Sequence, residues 1–338
     1  MSSRRVLLPE PIQPEAVDML AKAGCEVVSS PDPKPETVIP LLEGIHAIIL
    51  RTGIRITKDL VSHADDLGII SRTGAGYDNV DVAAASEKEI IVTSNLGVNT
   101  VSVVEHALSL ILALSKRLFL MDEAVRKGNF AIRRQNLPQD LSGKTLGLLG
   151  FGAIGRELGR VCHQMLHMKI LAFDPYVDKV ARDALSDWVR FVDFEVLFSS
   201  SNVLSIHVPL TEETRNKVNA RELAWMKPDA LLINTSRGGV IHEGALIEAL
   251  SANKIAGAGL DVFSEEPLPA GNPFEKLTNV ILTPHSAALT KQCVVRMATE
   301  AAQCVIDLLE GLVPRNVANP EVLTVGRWAH LKRRDESL

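Results

Sequence analysis

The sequence predicts an α/β protein built from two domains, each with a doubly wound parallel sheet. Short apolar runs of strand length alternate with helical patterns along most of the chain, which favours parallel strands joined by crossover helices. A glycine-rich turn joins one such strand to a helix near the middle of the chain. The 338 residues also leave room for two domains with a core each.

The first hundred residues predict a small α/β domain. Strand-like runs cover 6–8, 26–28, 47–50 and 69–71, and a helical pattern covers 15–23. The segment RTGAGYDNVD at 72–81 places Gly74 and Gly76 just past a strand end, where exposed N–H groups could bind a carboxylate. The alternative is a plain turn before a helix that begins with an Asn or Asp cap.

A long, mostly apolar helical pattern runs from Val101 toward Lys127, and Gly128 ends it. Glu105, His106 and two basic residues interrupt its apolar part, which argues against a membrane span. Such a helix must be covered by its own domain or by a second subunit. We therefore expect a homodimer in which this helix and the segment 130–138 cross to the partner.

The segment 144–174 predicts a dinucleotide site. A strand at 145–149 leads into Gly150, Gly152 and Gly155, which have the GxGxxG spacing that brings the backbone and a helix N-terminus close to a pyrophosphate. A second strand ends at Asp174, nineteen positions after Gly155, where a carboxylate can bind the ribose hydroxyls and repel a 2′-phosphate. The predicted cofactor is NAD rather than NADP.

The rest of the chain predicts a second half for this sheet, with six or more parallel strands in total. Strand-like runs cover 203–208, 230–234, 257–260 and 280–282, with helical stretches at 220–225 and 244–251. A final helical pattern at 289–310 ends at Gly311, and we expect this helix to return to the first domain.

Composition restricts the partners. The chain is 46% hydrophobic and 23% charged with a formal charge of −5, so we expect neither nucleic acid nor a membrane as partner. Its four cysteines have no metal-site spacing and no disulfide pattern. They are typical of a reducing compartment, and without a secretory signal we expect a cytoplasmic protein that holds no metal.

Three polar residues follow strands in the later half of the chain: Arg237, Glu266 and His285. The carboxyl ends of strands in a doubly wound sheet line one crevice, so these side chains can converge there. Oxidation of a 2-hydroxy acid needs such a set: a guanidinium for the substrate carboxylate, an imidazole for the hydroxyl proton, and a carboxylate to orient the imidazole. Taken singly, they could be a helix-terminus cation, a surface acid and a loop histidine.

These motifs together resemble the D-isomer-specific 2-hydroxyacid dehydrogenases, among them the phosphoglycerate dehydrogenases. The resemblance runs from LRTGIRIT at 50–57 through LSGKTLGLLGFGAIGRE, HVPLTEETRNKVN, INTSRGGVIHEGAL, GAGLDVFSEEPLP and LTPHSA to GLVPRNVANPEV at 311–322. It implies a flavodoxin-like substrate domain at 1–101 and 288–338, with a Rossmann NAD domain inserted at 102–287. It also implies that Arg237, Glu266 and His285 are the catalytic residues.

The resemblance further implies a set of cofactor contacts, with Thr235 and Asp261 on the nicotinamide side. The full set is Gly150, Gly152, Ala153, Ile154, Gly155, Asp174, His207, Pro209, Thr214, Thr235, Ser236, Asp261 and Ala287.

In the first domain, the resemblance assigns Arg51 and Arg72 to a substrate phosphate and the backbone of Ala75 and Gly76 to the substrate carboxylate. The alternative is that both arginines are ordinary surface residues after strands. His242 replaces an acid usual in this family, and several small-residue differences also leave the substrate preference open. The regulatory extension of some phosphoglycerate dehydrogenases is not expected, nor is feedback by serine.

The sequence therefore predicts an NAD-dependent D-2-hydroxyacid dehydrogenase, with D-3-phosphoglycerate as the expected substrate and serine biosynthesis as the expected role. One alternative is a glyoxylate/hydroxypyruvate or D-lactate-type reductase. Another is an NADH-sensing corepressor-like binding protein on the same scaffold. A formate dehydrogenase fits less well, because that relative has a glutamine where this chain has Glu266.

Overall fold

A computed structural model of the chain describes residues 4–324 and 326–333. The chain divides into two compact units. The first lies within Met1–Asn99 and Leu289–Leu338, and the second is Thr100–Ala288. The domain boundaries expected from the sequence, 101/102 and 287/288, lie within two residues of the bounds of these units.

The first unit is built on a parallel sheet of five strands in the order β2-β1-β3-β4-β5. This is the flavodoxin-like order. Its strands are β1 (Arg4–Leu8), β2 (Cys25–Ser29), β3 (Ala47–Leu50), β4 (Ile69–Arg72) and β5 (Ile91–Thr93). Its helices up to residue 99 are α1 (Pro14–Lys22), α2 (Pro35–Val38), α3 (Lys58–Ser62) and α4 (Val82–Glu87).

Both faces of this sheet are buried, because successive residues of a strand point to opposite sides. Leu7 and Ile48 belong to the core on one face, and Val6 and Ile49 to the core on the other. The run of apolar residues therefore has no polar alternation, as expected for parallel strands covered by helices. Asp81 caps α4 by accepting the Ala84 N–H at 3.0 Å, as its position before a helical pattern predicts.

The second unit is built on a parallel sheet of seven strands in the order β12-β11-β10-β9-β6-β7-β8. In this order the two halves of a dinucleotide-binding fold meet between β6 and β9. Its strands are β6 (Thr145–Leu149), β7 (Lys169–Phe173), β8 (Val189–Phe191), β9 (Val203–Ile206), β10 (Leu231–Asn234), β11 (Gly257–Leu260) and β12 (Val280–Leu282). The predicted fold class of two doubly wound parallel sheets is confirmed.

Helices cover the sheet of the second unit. They are α5 (Thr100–Ser115), α6 (Leu118–Arg126), α7 (Ile132–Gln135), α8 (Ala153–Leu166), α9 (Lys179–Asp183), α10 (Phe194–Ser200), α11 (Ala220–Trp225) and α12 (Glu243–Ser251). Strand β8 and the helices beside it were not predicted, because this edge of the sheet is short and only partly apolar.

The prediction of one continuous helix from Val101 to Lys127 is wrong. The helix breaks at Arg117, which has a left-handed backbone with φ of 52°, and α6 begins at the next residue, Leu118. Arg117 Nη1 donates to Asn136 Oδ1 at 3.0 Å, and Lys116 Nζ donates to the Gln139 carbonyl at 2.8 Å. The apolar pattern continues across the break, so periodicity alone did not reveal it.

The last long helix is α13 (Lys291–Leu309), and it belongs to the first unit. It packs against α1, where buried Ala301 and Cys304 join the core under β1. Gly311 follows with φ of 80°, a left-handed conformation that suits glycine after a helix end. In the described part of the chain, no helix has the length and hydrophobicity needed to cross a membrane.

Candidate active site

The three residues predicted to be catalytic lie at the carboxyl ends of neighbouring strands. Arg237 follows β10, Glu266 lies in the loop after β11, and His285 follows β12. These strands are adjacent in the sheet, and β11 pairs in register with both of its neighbours. Carboxyl ends of parallel strands meet at one edge, so the fold brings together residues almost fifty positions apart.

His285 and Glu266 form a short hydrogen-bonded pair. His285 Nδ1 lies 2.7 Å from Glu266 Oε2, and both side chains are partly exposed. A carboxylate can only accept, so Nδ1 carries the proton in this bond and Nε2 is left for proton exchange with a bound molecule. The other carboxylate oxygen, Oε1, accepts the Phe263 N–H at 2.9 Å, which fixes the orientation of Glu266.

Glu266 is held in its charged form. Burial raises its pKa, but the hydrogen bonds from His285 and the Phe263 N–H, together with the electrostatic influence of His285 and Arg237, outweigh burial, so the pKa lies below its usual value. A carboxylate that stays ionised can orient the imidazole and stabilise its protonated form.

The loop that carries Arg237 is fixed by Asn234, a residue that the sequence analysis did not single out. Asn234 Nδ2 donates to the Arg237 carbonyl at 2.9 Å, and its Oδ1 accepts the Ser236 N–H at 3.0 Å and the Ser236 hydroxyl at 2.8 Å. Arg237 itself is half-buried, and its Nη1 donates to the Ser236 carbonyl at 2.7 Å. The signal available in the sequence was an asparagine at the end of an apolar strand-like run, and the structure shows that this asparagine is buried.

The glycine-rich turn after β6 has the shape of an anion cradle. Gly150 has φ of 93°, and an added Cβ there would lie 2.8 Å from the His207 backbone. A Cβ on Gly155 would overlap the Gly150 carbonyl oxygen, so α8 can approach the strand only without a side chain there. Gly152 instead faces open space, and no side chain caps the N-terminus of α8. The exposed N–H groups of this first turn suit the pyrophosphate of a dinucleotide.

Asp174 lies at the carboxyl end of β7, as predicted, and its carboxylate is held by backbone donors. Oδ2 accepts the Phe151 N–H at 2.8 Å, and Oδ1 accepts the Tyr176 N–H at 2.9 Å. Each carboxylate oxygen keeps a further lone pair, so the group can also accept from ribose hydroxyls.

Other predicted cofactor residues occupy the same edge of the sheet. His207, Pro209 and Thr214 lie in the loop after β9, where the Thr214 hydroxyl donates to the Pro209 carbonyl at 2.6 Å. Ala153 and Ile154 lie in the first turn of α8. The hydroxyl of Thr235 is buried and has no hydrogen-bond partner among the residues that the structure describes, so a bound cofactor or substrate could supply one. These features fit a nicotinamide dinucleotide.

Asp261 points its carboxylate into the turn that carries His285. It is almost fully buried, and it accepts the N–H groups of Ser286 and Ala287, each at 2.9 Å. Asp261 and Ala287, two residues of the predicted cofactor set, are therefore bonded to each other, and this bond joins Asp261 to the turn at 283–287.

The residues predicted to bind substrate lie in the first unit. Arg51 directly follows β3, and Arg72 ends the neighbouring β4, where it pairs with Leu50. Arg51 Nη1 donates to the Pro11 carbonyl at 3.0 Å. Arg72 is only 8% exposed and its Nε donates to Asn79 Oδ1 at 3.2 Å, so it is not an ordinary surface arginine.

The loop after Arg72 carries Ala75 and Gly76, both half-buried. The Gly74 carbonyl accepts the Asn95 N–H at 3.0 Å, which ties this loop to the end of β5. Asn79 was not singled out, although its side chain donates to the carbonyls of Arg51 and Ile54 at 2.9 Å each. A single asparagine in a polar loop carries no sequence signal for such a role.

Comparison with known proteins agrees with this geometry. Residues 108–287 match the profile described as D-isomer specific 2-hydroxyacid dehydrogenase, NAD binding domain. A glyoxylate reductase from Aeropyrum pernix is 36% identical over 333 residues, which cover 96% of this chain and 98% of that protein. A D-3-phosphoglycerate dehydrogenase from Archaeoglobus fulgidus is 36% identical over 315 residues, which cover 93% of this chain but 59% of that protein.

The fold also matches solved structures. The TT0316 protein from Thermus thermophilus superposes with a TM-score of 0.84 at 32% identity, and the match covers 93% of this chain and 99% of that one. The profile match confirms the predicted cofactor, NAD. The fold, the glycine-rich turn after β6 and these similarities together establish that the chain belongs to the D-isomer specific 2-hydroxyacid dehydrogenases, an NAD-dependent family.

Proposed function

We propose that His285 is the acid/base of the reaction, Glu266 its partner and Arg237 the group that binds the substrate carboxylate. The observation that carries this proposal is the 2.7 Å bond between His285 Nδ1 and Glu266 Oε2, at the same edge of the sheet as Arg237. In the oxidation, Nε2 of His285 takes the proton of the substrate hydroxyl, and Glu266 stabilises the imidazolium that results. NAD supplies the hydride acceptor, and the protein's own residues orient the acid and move the proton.

For the substrate we propose a D-2-hydroxy acid with a second anionic group, D-3-phosphoglycerate. Arg51 and Arg72 support this, because two guanidinium groups at neighbouring strand ends suit a phosphate. With this substrate, the reaction would serve serine biosynthesis. The chain spans about three fifths of the length of the phosphoglycerate dehydrogenase from Archaeoglobus fulgidus, so this activity is a proposal for the chain rather than a property carried over.

A second candidate is reduction of glyoxylate or hydroxypyruvate. The burial of Arg72 favours this second candidate. Its guanidinium already bonds to Asn79, which leaves Arg51 as the more accessible of the two arginines. The similarity to the Aeropyrum pernix glyoxylate reductase extends over nearly the whole of that protein. A D-lactate-type reductase would need the same residues of the second unit, whereas a corepressor-like NADH sensor would bind NADH without turnover.

The test is NADH absorbance with purified protein and a panel of acids: D-3-phosphoglycerate, D-glycerate and D-lactate with NAD or NADP, and glyoxylate and hydroxypyruvate with NADH or NADPH. We expect turnover of D-3-phosphoglycerate with NAD, and we expect His285→Ala to lower kcat by about 10²–10⁴-fold because general acid–base catalysis is lost. A preference for NADP would contradict the role given to Asp174.

The arginines separate the two substrate proposals. Arg51→Ala should raise the KM for phosphoglycerate and leave the KM values for smaller acids unchanged. Arg55 is an exposed arginine in the same loop, and Arg55→Ala should leave the KM values for phosphoglycerate and for smaller acids unchanged. Turnover of glyoxylate or hydroxypyruvate alone, unaffected by Arg51→Ala, would favour the second candidate. Tight NADH binding without turnover of any acid would favour the sensor.

We also propose that the chain forms a homodimer in the cytoplasm through α6, α7 and the segments beside them. Large apolar side chains are exposed in this region: Leu118, Phe119, Val125, Phe130 and Leu137. Exposed apolar side chains concentrated in one stretch of chain are typical of a protein interface. The four cysteines are free thiols, which suits a reducing compartment.

A further inference from the structure

The turn that carries His285 is assembled around the carboxylate of Asp261. Asp261 is 1% exposed and directly follows β11. Its Oδ1 accepts the Ser286 N–H at 2.9 Å and the Thr283 hydroxyl at 2.6 Å, and its Oδ2 accepts the Ala287 N–H at 2.9 Å. The His285 N–H donates to the backbone carbonyl of Asp261 at 2.8 Å. One aspartate therefore bonds to four of the five residues at 283–287.

The imidazole of His106 lies beside this carboxylate. Its Nε2 is 2.9 Å from Thr283 Oγ1 and 3.5 Å from Asp261 Oδ1. A threonine hydroxyl has one proton, and Thr283 gives it to Asp261, because a carboxylate only accepts. The Thr283 oxygen must then accept from His106, so Nε2 carries a proton. The result is a chain of two hydrogen bonds, from His106 to Thr283 and from Thr283 to Asp261.

His106 belongs to a separate element, which makes it a support from outside the turn. It lies on α5, which packs under β10, β11 and β12, and its side chain is 21% exposed. Its neighbours on the helix, Val104 and Ala107, are buried in the core of this unit. A hydrogen bond from a fixed helix to a partly buried hydroxyl that itself bonds a buried carboxylate is costly to lose, because these groups cannot freely replace their partners with water.

His285 needs such a support. Its φ is 49°, in the left-handed region that residues with a side chain rarely adopt, and this conformation persists only where the surroundings determine it. Glu266 holds the ring of His285 through Nδ1, but the backbone on which the ring is mounted is held by Asp261 and its neighbours.

We propose that His106 is a positioning residue for the dehydrogenase reaction: through Thr283 and Asp261 it holds the turn at 283–287, and with it the imidazole of His285, in the orientation that proton transfer requires. This inference rests on the proposed role of His285 as acid/base. His106 acts through the N–H at Nε2, so a side chain that offers an N–H at this place should replace it.

The experiment compares full-length wild type, His106→Gln and His106→Met. Glutamine places an amide N–H near the position of Nε2, and methionine fills a similar volume without a donor. We expect His106→Met to lower kcat about tenfold or more, because small displacements of a reacting group are costly, with the Kd for NADH unchanged within about twofold. His106→Gln should stay close to wild type.

A second readout does not depend on turnover. In protein labelled with ¹³C at histidine Cε1, the His285 resonance is identified by its loss in His285→Ala. We expect this resonance to move or broaden in His106→Met and to keep its position in His106→Gln. If the wild type turns over none of the acids, the role of His285 fails, and this spectrum still decides whether His106 positions its ring.

The matched control is His163→Met, which removes another half-buried imidazole of the same unit, on α8 and 3.2 Å from the Met168 carbonyl. It should leave kcat and the His285 resonance unchanged. A wild-type kcat with an unchanged resonance in His106→Met would overturn the proposal. An equal loss in His106→Gln and His106→Met would also overturn it, since packing rather than the N–H would then be responsible. So would an equal loss in His163→Met.

Discussion

At the scale of single residues, the half-buried imidazole of His207 shows how closely the turn after β6 is packed. A Cβ added at Gly155 would lie 3.5 Å from Cδ2 of this ring, and the Ser205 hydroxyl is 2.8 Å from its Nε2. Burial lowers the pKa of His207 to about 4. The fold therefore favours the neutral ring, and protonation opposes folding.

We predict that His207 makes the folded protein less stable in mild acid. The folded-state pKa of His207 lies below the unfolded-state value of about 6.5. The stability that the neutral His207 ring contributes is therefore present above pH about 6.5 and is lost as the pH falls toward 4. Between pH 7 and pH 5, His207→Gln should lose about 1–2 kcal/mol less free energy of unfolding than wild type. Urea unfolding at both pH values measures this difference.

The control for this experiment is His330→Gln, since His330 is exposed. Its stability should fall between pH 7 and pH 5 by the same amount as that of wild type. An equal fall in His207→Gln and wild type would show that His207 is protonated freely in the folded state, contrary to its burial.

Other residues of the candidate site differ in how far the sequence alone could assign them. Arg237, Glu266 and His285 each follow a strand, and strand ends can be recognised from apolar runs. The bond between His285 and Glu266 could not be read from the sequence, because it depends on where two loops of different strands meet. The burial of Arg72 and the contacts of His106 and Asn79 depend in the same way on neighbouring elements.

At the scale of elements, the turn between β6 and α8 separates folding from cofactor binding. Gly155 is needed because a Cβ there would overlap the Gly150 carbonyl oxygen, and backbone cannot move aside as a flexible side chain can. Gly152 is different, since a Cβ there would meet nothing within 4 Å and would occupy the space before the α8 N-terminus.

We therefore predict that two alanine substitutions in one turn affect different properties, stability in one case and NADH binding in the other. Gly155→Ala should lower the free energy of unfolding by about 1–3 kcal/mol, because α8 must move away from the strand. Gly152→Ala should change stability by less than about 1 kcal/mol but weaken NADH binding, because the new methyl group takes the place of a phosphate. Thermal unfolding and NADH fluorescence titration measure the two effects.

Each variant serves as the control for the other. If Gly152→Ala binds NADH as wild type does, the dinucleotide phosphates do not lie at the N-terminus of α8. If Gly155→Ala unfolds at the wild-type temperature, the close approach of helix and strand is not needed.

At the scale of the whole molecule, the exposed apolar side chains of α6 and of the segment at 130–137 are a feature that the fold of one chain leaves unexplained. Phe119 is 64% exposed and Phe130 is 62% exposed, and neither contributes to a buried core. Nearby charged side chains pair along α6 and its C-terminal cap, as in Arg126 with Asp122 and Lys127 with Glu123. An apolar surface of this kind is stable in water when a partner covers it.

We predict that Phe119→Glu converts a dimer into a monomer, because an uncompensated carboxylate would be buried in the interface. Sedimentation at micromolar concentration should then show the 36.7 kDa of one chain instead of twice that mass. Met165→Glu, at an exposed apolar residue of α8, should leave the dimer intact. A wild-type protein that sediments as a monomer would refute the dimer.

The sequence by itself determined the α/β class, the strands of both sheets apart from two short ones, the dinucleotide turn and the acid at the end of β7. These features depend on residues close together in the chain: apolar runs, glycine spacing and a terminal carboxylate, all of which carry a local signal. Each of them can therefore be recognised from neighbouring residues alone.

The tertiary structure alone decided the break at Arg117, the burial of Arg72 and the support of His285 by Asp261, Thr283 and His106. A left-handed residue other than glycine leaves no pattern in the chain. The hydrogen bonds around Asp261 join residues up to 177 positions apart, as between His106 and Thr283. Such contacts exist only once strands and helices have packed, so chain order could name the residues but not their partners.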